Sequence, residues 1–191
     1  MGCPPGVAGW VFFAGSVCFT SAALLQFLTS RRGLESLSAA EGSNSWRAAL
    51  IRPRTLDWAA SAVQLVGTIA FNISTFRAAL DSIGSVTIAA DVIWRPDAFG
   101  SVLFLVSSGL AFAPEVRGRR HRHARDRAWA IGALNMLGSV FFGASAIGAY
   151  TVSATGVLLS ARWSNLGTFL GAICFLAGAR LLLPRGDTSR G

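Results

Sequence analysis

Apolar residues along this chain come in five long blocks, with the charged residues gathered between them. The blocks contain no Asp, Glu, Lys, Arg or His and occupy residues 7–28, 58–76, 98–113, 128–150 and 163–179. A helix needs about 20 apolar residues to cross a bilayer core of roughly 30 Å, whereas strands of a membrane barrel alternate apolar and polar side chains. The pattern therefore predicts an all-α integral membrane protein with five transmembrane helices.

The predicted spans cover residues 7–28, 58–76, 96–113, 128–150 and 163–183 of one membrane domain, 1–191. The third block is short, so we expect its helix to begin near Pro96, because a proline is tolerated in the first turn. Two loops between spans, 29–57 and 114–127, are predicted to face the cytoplasm.

The charge pattern predicts the orientation of the spans. All 17 basic residues are arginines. They are concentrated in segments 29–57 and 114–127 and at the C-terminal end, whereas none lies before residue 7 and few lie between residues 77 and 97 or near residue 162. This alternation follows the positive-inside rule for five spans with the N terminus outside and the C terminus inside.

An internal repeat is visible at an offset of 71 residues. Within the second block Trp58, Gln64, Gly67, Phe71 and Ser74 correspond to aromatic, amide, glycine, aromatic and hydroxyl residues in the fourth. The offset continues into the third and fifth blocks, where a glycine and a phenylalanine correspond. The second and third spans and the fourth and fifth spans are therefore predicted to be parallel repeats, inserted the same way up.

Glycines in these blocks are predicted to be packing positions. In lipid, attraction between helices comes from close packing and hydrogen bonds, which small residues permit. Gly167 and Gly171 form a GxxxG pair, and the other candidates recur with the repeat. The predicted packing residues are Gly67, Gly100, Gly138, Gly167 and Gly171.

The strongest polar groups predicted within the spans are amides. Gln64 and Asn135 are equivalent under the repeat, so one hypothesis places them around a central polar site together with Asn72 and Asn165. The alternative is that each amide hydrogen-bonds to a neighbouring helix, which contributes about 1 kcal/mol. The first hypothesis suits a small transporter or channel; the second suits a packed bundle.

The sequence contains no pattern that predicts catalysis or a cofactor. The apolar blocks contain no ionisable residue of the kind that marks ion pathways. His121 and His123 supply too few ligands for a zinc site, and the three cysteines lack zinc or redox spacing. We therefore expect neither an enzyme nor a resident cofactor.

The arginine cluster beside His121 is expected to contact anionic lipid headgroups rather than nucleic acid, because a short cytoplasmic loop between spans is basic by the positive-inside rule alone. The residues assigned to this contact are Arg117, Arg119, Arg120 and Arg122.

Several short motifs give the chain a family resemblance. They are Arg52-Pro53-Arg54 with Asp57 and Trp58; Gly67, Thr68, Phe71, Asn72, Ser74 and Thr75; and Trp94, Pro96, Asp97, Gly100, Ser101 and Phe104. Together they resemble the small multi-pass bacterial membrane proteins with YrhK-like hairpins, over roughly residues 52–184. The resemblance implies a helical bundle in a bacterial cytoplasmic membrane and carries over no catalytic residue.

The function expected from these observations is that of a structural or accessory helical bundle, which packs with itself or with other membrane subunits in the lipid bilayer. The alternative is a small transporter or channel built around Gln64, Asn72 and Asn135.

Overall fold

The computed structural model describes residues 5–40, 53–117, 127–152 and 154–183, which form five helices and one short β-hairpin. In chain order these are α1 (Pro5–Ala40), α2 (Pro53–Ser82), α3 (Ala90–Arg117), α4 (Arg127–Gly148), β1 (Thr151–Val152), β2 (Val157–Leu158) and α5 (Ala161–Leu182). The two strands pair antiparallel, with Thr151 opposite Leu158.

The five described helices are each long and apolar enough to cross a membrane. Their candidate spans are Gly6–Gly33, Thr55–Ser82, Ala90–Ala113, Arg127–Gly148 and Ala161–Leu182. The predicted all-helical architecture with five membrane-length helices is confirmed, and it indicates a multi-pass membrane protein. The β-hairpin between α4 and α5 was not predicted, because its two-residue strands are too short to leave a pattern in the sequence.

The helices pack in chain order. α1 lies against α2, α2 against α3, α3 against α4, and α4 against α5. Short connections between antiparallel helices favour this arrangement, since sequential elements are usually neighbours. As a result α2, α3 and α4 each contact two helices along their length, whereas α1 and α5 lie at the margins of the bundle.

The start of α1, the α2–α3 connection and the β-hairpin lie at one end of the bundle, which we call the hairpin end. There Gly9 of α1 lies beside the last turn of α2, and Trp94 of α3 contacts Tyr150, which follows α4. The hairpin turns at Gly156, whose φ of 66° is readily adopted by glycine. Ser160 then caps α5 by accepting a hydrogen bond from the backbone N–H of Trp163.

α3 begins at Ala90 rather than at residue 96, and this change extends the helix through Pro96. A proline inside a helix has no N–H to donate to the carbonyl four residues earlier. Here that carbonyl belongs to Val92, and the guanidinium of Arg77 on α2 donates to it at 2.9 Å. A side chain from a neighbouring helix thus occupies the position that the proline leaves open, which is not visible from the local sequence.

Two close glycine contacts join the helices in pairs. A methyl group added to Gly100 of α3 would lie 2.9 Å from the carbonyl oxygen of Gly67 on α2. One added to Gly171 of α5 would lie 3.0 Å from the carbonyl oxygen of Gly138 on α4. Both distances are shorter than almost all contacts that a side-chain carbon makes, so backbones approach each other directly at these points, as small residues allow in membrane helices.

Five phenylalanines, one from each helix, fill the middle of the bundle. Their ring centroids are 5.4–6.4 Å apart, within the range of favourable aromatic contacts. Phe104 and Phe142 each touch three of the other four rings, and Phe104 is the more deeply buried of the two, at 2% exposed. The cluster consists of Phe19, Phe71, Phe104, Phe142 and Phe175.

Candidate functional site: polar groups within the bundle

Gln64 and Asn135 contact different helices. The Ser107 hydroxyl of α3 lies 3.2 Å from Oε1 of Gln64. Asn135 instead faces α5, where a methyl group on Gly178 would lie 3.0 Å from its Oδ1. Each amide therefore faces the second helix of its own helix pair, and the structure does not bring the two side chains to one shared site.

Asn72 lies at the contact between α1 and α2. Its Nδ2 donates to the hydroxyl of Thr20 at 2.7 Å, and Thr20 is 3.3 Å from the carbonyl oxygen of Thr68. The other amide atom, Oδ1, is buried and has no hydrogen-bond partner among the described residues. A buried acceptor without a partner is costly and unusual in a folded protein. Among the described residues, Asn72 is thus the one of the four candidate amides with a fully buried side-chain atom that lacks a hydrogen-bond partner.

Asn165 lies on the outside of the bundle. It is exposed on α5, one turn from the start of the helix, and is separated from the other three candidates. The four amides predicted from the sequence therefore occupy separate places in the structure.

Buried hydroxyl groups form further hydrogen bonds between neighbouring helices. Ser108 of α3 and Ser139 of α4 lie 2.7 Å apart, and Ser16 of α1 lies 2.8 Å from Thr75 of α2. A hydroxyl can both donate and accept a hydrogen bond. A paired hydroxyl can therefore also donate to a backbone carbonyl, as Ser139 does to the carbonyl oxygen of Phe104. The hydroxyls act as hydrogen-bonded links between neighbouring helices.

Two of these links occupy positions 71 residues apart. Ser74 of α2 donates to the carbonyl oxygen of Ile93 on α3 at 2.8 Å. Ser145 of α4 donates to the carbonyl oxygen of Ser164 on α5 at 2.6 Å, and it also pairs with Thr168 at 2.7 Å. Both donor and acceptor positions thus correspond between the two helix pairs.

Asp97 is an acidic residue of α3 that the sequence analysis placed at the start of the third span, just before its apolar block. Because the helix starts at Ala90, Asp97 follows Trp94 and precedes Ser101 on one helix face. Those two neighbours donate to carbonyls of α4, at Ala146 and Phe142 respectively. The Asp97 side chain is partly buried and has no hydrogen bond or ion pair within the described part of the chain.

Asp97 could have been found from the sequence if α3 had been extended through the proline, because it would then be one helical turn inside Trp94.

Among the described residues there is no group of three or more His, Cys, Asp and Glu side chains suited to a metal ion.

The opposite end of the bundle carries cationic and aromatic contacts. The Arg127 guanidinium donates to the carbonyl oxygens of Leu181 and Leu183 near the end of α5. Cations are favourable at a helix C-terminus, where the carbonyls lack helical partners. Of the arginines predicted to contact lipid headgroups, Arg117 ends α3, and the other three, Arg119, Arg120 and Arg122, lie outside the described residues.

Comparisons with protein-family models, curated proteins and solved structures find no match to this chain.

Proposed function

We propose that this chain is an accessory membrane protein, a compact helical bundle that packs against other membrane subunits or a second copy of itself and catalyses no reaction. The observation that carries the proposal is the filled centre of the bundle. One phenylalanine from each of the five described helices meets there, and the two glycine contacts bring backbones together on either side.

Exposed side chains on the marginal helices support a role in association. Val11 of α1 is 66% exposed and Leu176 of α5 is 71% exposed. Gln26 on α1 and Asn165 on α5 leave amide groups on the same outer surfaces. In membranes, amides of this kind hydrogen-bond across helices, so a neighbouring helix would satisfy them better than lipid chains.

We also propose that α2–α3 and α4–α5 are two copies of one hairpin, inserted the same way up. The corresponding glycine contacts and the corresponding Ser74 and Ser145 bonds support this. The proposed orientation has the N terminus outside and the C terminus inside. A membrane-impermeant thiol reagent applied to intact cells should then label Cys3 and leave Cys174 unlabelled; absence of Cys3 labelling would count against this orientation.

The resemblance to YrhK-like proteins agrees with this proposal, because it implies a helical membrane bundle; it carries over no catalytic residue. It also favours the cytoplasmic membrane of a bacterium as the location.

Photo-crosslinking in native membranes tests the accessory role. A photoreactive amino acid would be placed singly at Val11, Leu25, Phe169 or Leu176, all exposed on α1 or α5. We expect at least one position to form a covalent product with a single membrane protein or with a second copy. The same group at buried Phe104 is the matched control and should give no intermolecular product.

The accessory role would be rejected if all four exposed positions gave lipid adducts alone. It would also be rejected if the purified protein moved a solute across proteoliposome membranes.

A small transporter is the second candidate, and two observations favour it. Oδ1 of Asn72 is buried without a partner, and Asp97 is a partly buried carboxylate in a span. Ionisable residues within membrane spans commonly mark ion or substrate pathways. In proteoliposomes, a flux that disappears in Asp97→Asn and Asn72→Leu, but persists in Asn165→Leu, would favour transport; the accessory role predicts no flux in any of them.

A further inference from the structure

A cleft at the hairpin end lies between the start of α3 and the residues that follow α4. It has a volume of about 280 Å³ and is lined by Asp91, Trp94, Arg95, Tyr150 and Thr151. This is close to the lower limit of small-molecule sites in proteins. The cleft is thus large enough for a polar headgroup, although not for an entire lipid.

One wall of the cleft is aromatic and held in place. Nε1 of Trp94 donates to the carbonyl oxygen of Ala146 on α4 at 2.7 Å, which fixes the indole ring. The ring of Tyr150 meets it edge to face, with centroids 5.0 Å apart. Aromatic faces attract cations, and Trp is the strongest of them in this respect. A positively charged group is therefore favoured beside this wall.

The same cleft carries both signs of charge. The Asp91 carboxylate and the Arg95 guanidinium are 3.0 Å apart, and their side chains are 56% and 75% exposed. Exposed ion pairs of this kind are weak, since water screens both partners. A ligand with a cation and an anion a few atoms apart can replace this ion pair, because its cation can pair with Asp91 and its anion with Arg95. The Thr151 hydroxyl adds a hydrogen-bond donor for the anion.

Apolar residues exposed around this end indicate that lipid surrounds the cleft. Ile83 and Val86 in the α2–α3 connection are 49% and 53% exposed, and Val157 and Leu159 in the hairpin region are 63% and 56% exposed. Trp and Tyr are also the residues enriched where a membrane meets water. A ligand for this cleft is therefore more readily delivered by the bilayer than by bulk solvent.

We propose that this cleft binds the headgroup of a zwitterionic phospholipid. Its ammonium group lies against Trp94 and Tyr150 and pairs with Asp91. Its phosphate accepts hydrogen bonds from Arg95 and Thr151. This site is distinct from the arginine-rich segments, which carry one sign of charge and suit anionic lipids.

Native mass spectrometry of the detergent-solubilised protein tests the proposal with two lipids of identical acyl chains, phosphatidylethanolamine and phosphatidylglycerol. We expect the wild type to bind phosphatidylethanolamine at least 5-fold more tightly. Asp91→Asn should remove most of this preference because it removes the partner of the ammonium group, whereas Arg95→Gln should weaken binding of both lipids. Arg162→Gln is the matched control, since Arg162 is an exposed arginine near the start of α5 and lies outside the cleft.

A merely structural role for Asp91 would not change the ratio between the two lipids, so the ratio separates binding from folding. Thermal unfolding of each variant checks that the bundle remains intact, and Tyr150→Leu provides a second test from the other side of the cleft. The proposal would be overturned if Asp91→Asn and Tyr150→Leu behaved like Arg162→Gln. It would also be overturned if the wild type preferred phosphatidylglycerol, or bound soluble phosphoethanolamine as tightly as the lipid.

Discussion

The helix pairs α2–α3 and α4–α5 are closed by the same contact but lie in different surroundings. In each pair two glycine backbones meet and a phenylalanine packs beside them, Phe104 on Gly67 and Phe175 on Gly138. Yet Phe104 is 2% exposed at the centre, whereas the helix that carries Phe175 lies at the margin.

The difference shows which properties belong to a helix pair and which belong to its place in the bundle. Trp94 and Asn165 occupy corresponding positions 71 residues apart. Trp94 packs onto α4 because α3 has a helix on both sides, while Asn165 is exposed because no described helix packs along its face of α5. The glycine contact thus forms within each helix pair. The burial of residues on the outer face of a pair, such as Trp94 and Asn165, depends instead on whether another helix lies beside that face.

The largest expected effect separates the central ring from its marginal counterpart. Phe104→Ala should lower the free energy of unfolding by about 3–5 kcal/mol, because it leaves a cavity among three other rings. Phe175→Ala should cost less, since Phe175 touches two rings of the cluster. Unfolding in mixed detergent micelles, followed by circular dichroism, measures both; equal losses would contradict the difference between centre and margin.

A second test asks whether the two glycine contacts are equivalent. Gly100→Ala and Gly171→Ala should each lower stability by about 1–3 kcal/mol, because the added methyl group meets a backbone carbonyl that cannot move aside cheaply. Gly15→Ala is the control, since no atom lies within 4 Å of its added methyl group. If the control were as destabilised as the other two, glycine packing would not explain the effect.

The smallest expected effect concerns the corresponding hydroxyls. Ser74→Ala and Ser145→Ala should each cost about 0.6 kcal/mol, the typical strength of a hydrogen bond between membrane helices. Ser145→Ala should be the more costly of the two, because Thr168 also loses a partner. The same unfolding measurement, with exposed Ser21→Ala as a reference, would contradict the account if Ser74→Ala were much more destabilising than Ser145→Ala.

The helices could be predicted from the sequence because membrane-length apolar blocks leave few alternatives. Small residues in those blocks pointed to the contacts at Gly67 and Gly138 for the same reason: close packing in lipid requires them. The start of α3 was harder, since it depends on Arg77 reaching the carbonyl of Val92 from another helix. Local sequence carries no sign of that contact.

The position of the amides also lay beyond sequence reasoning. Their equivalence under the repeat led to the hypothesis that Gln64 and Asn135 share a site, but such equivalence fixes only what each residue faces within its own helix pair. Gln64 faces Ser107, and Asn135 faces the corresponding Gly178. The partly buried Asp97 was expected at the start of its helix, whereas α3 begins seven residues before it.

Cysteine accessibility at the two amide positions tests the central claim, a bundle closed at its core, most directly. Gln64→Cys and Asn135→Cys would each be introduced as the sole cysteine and treated with a small hydrophilic thiol reagent in lipid nanodiscs. The closed bundle predicts labelling as slow as that of buried Cys174, measured alone. Labelling of both positions as fast as Ser85→Cys, in the exposed connection before α3, would show a water-filled path and contradict the account.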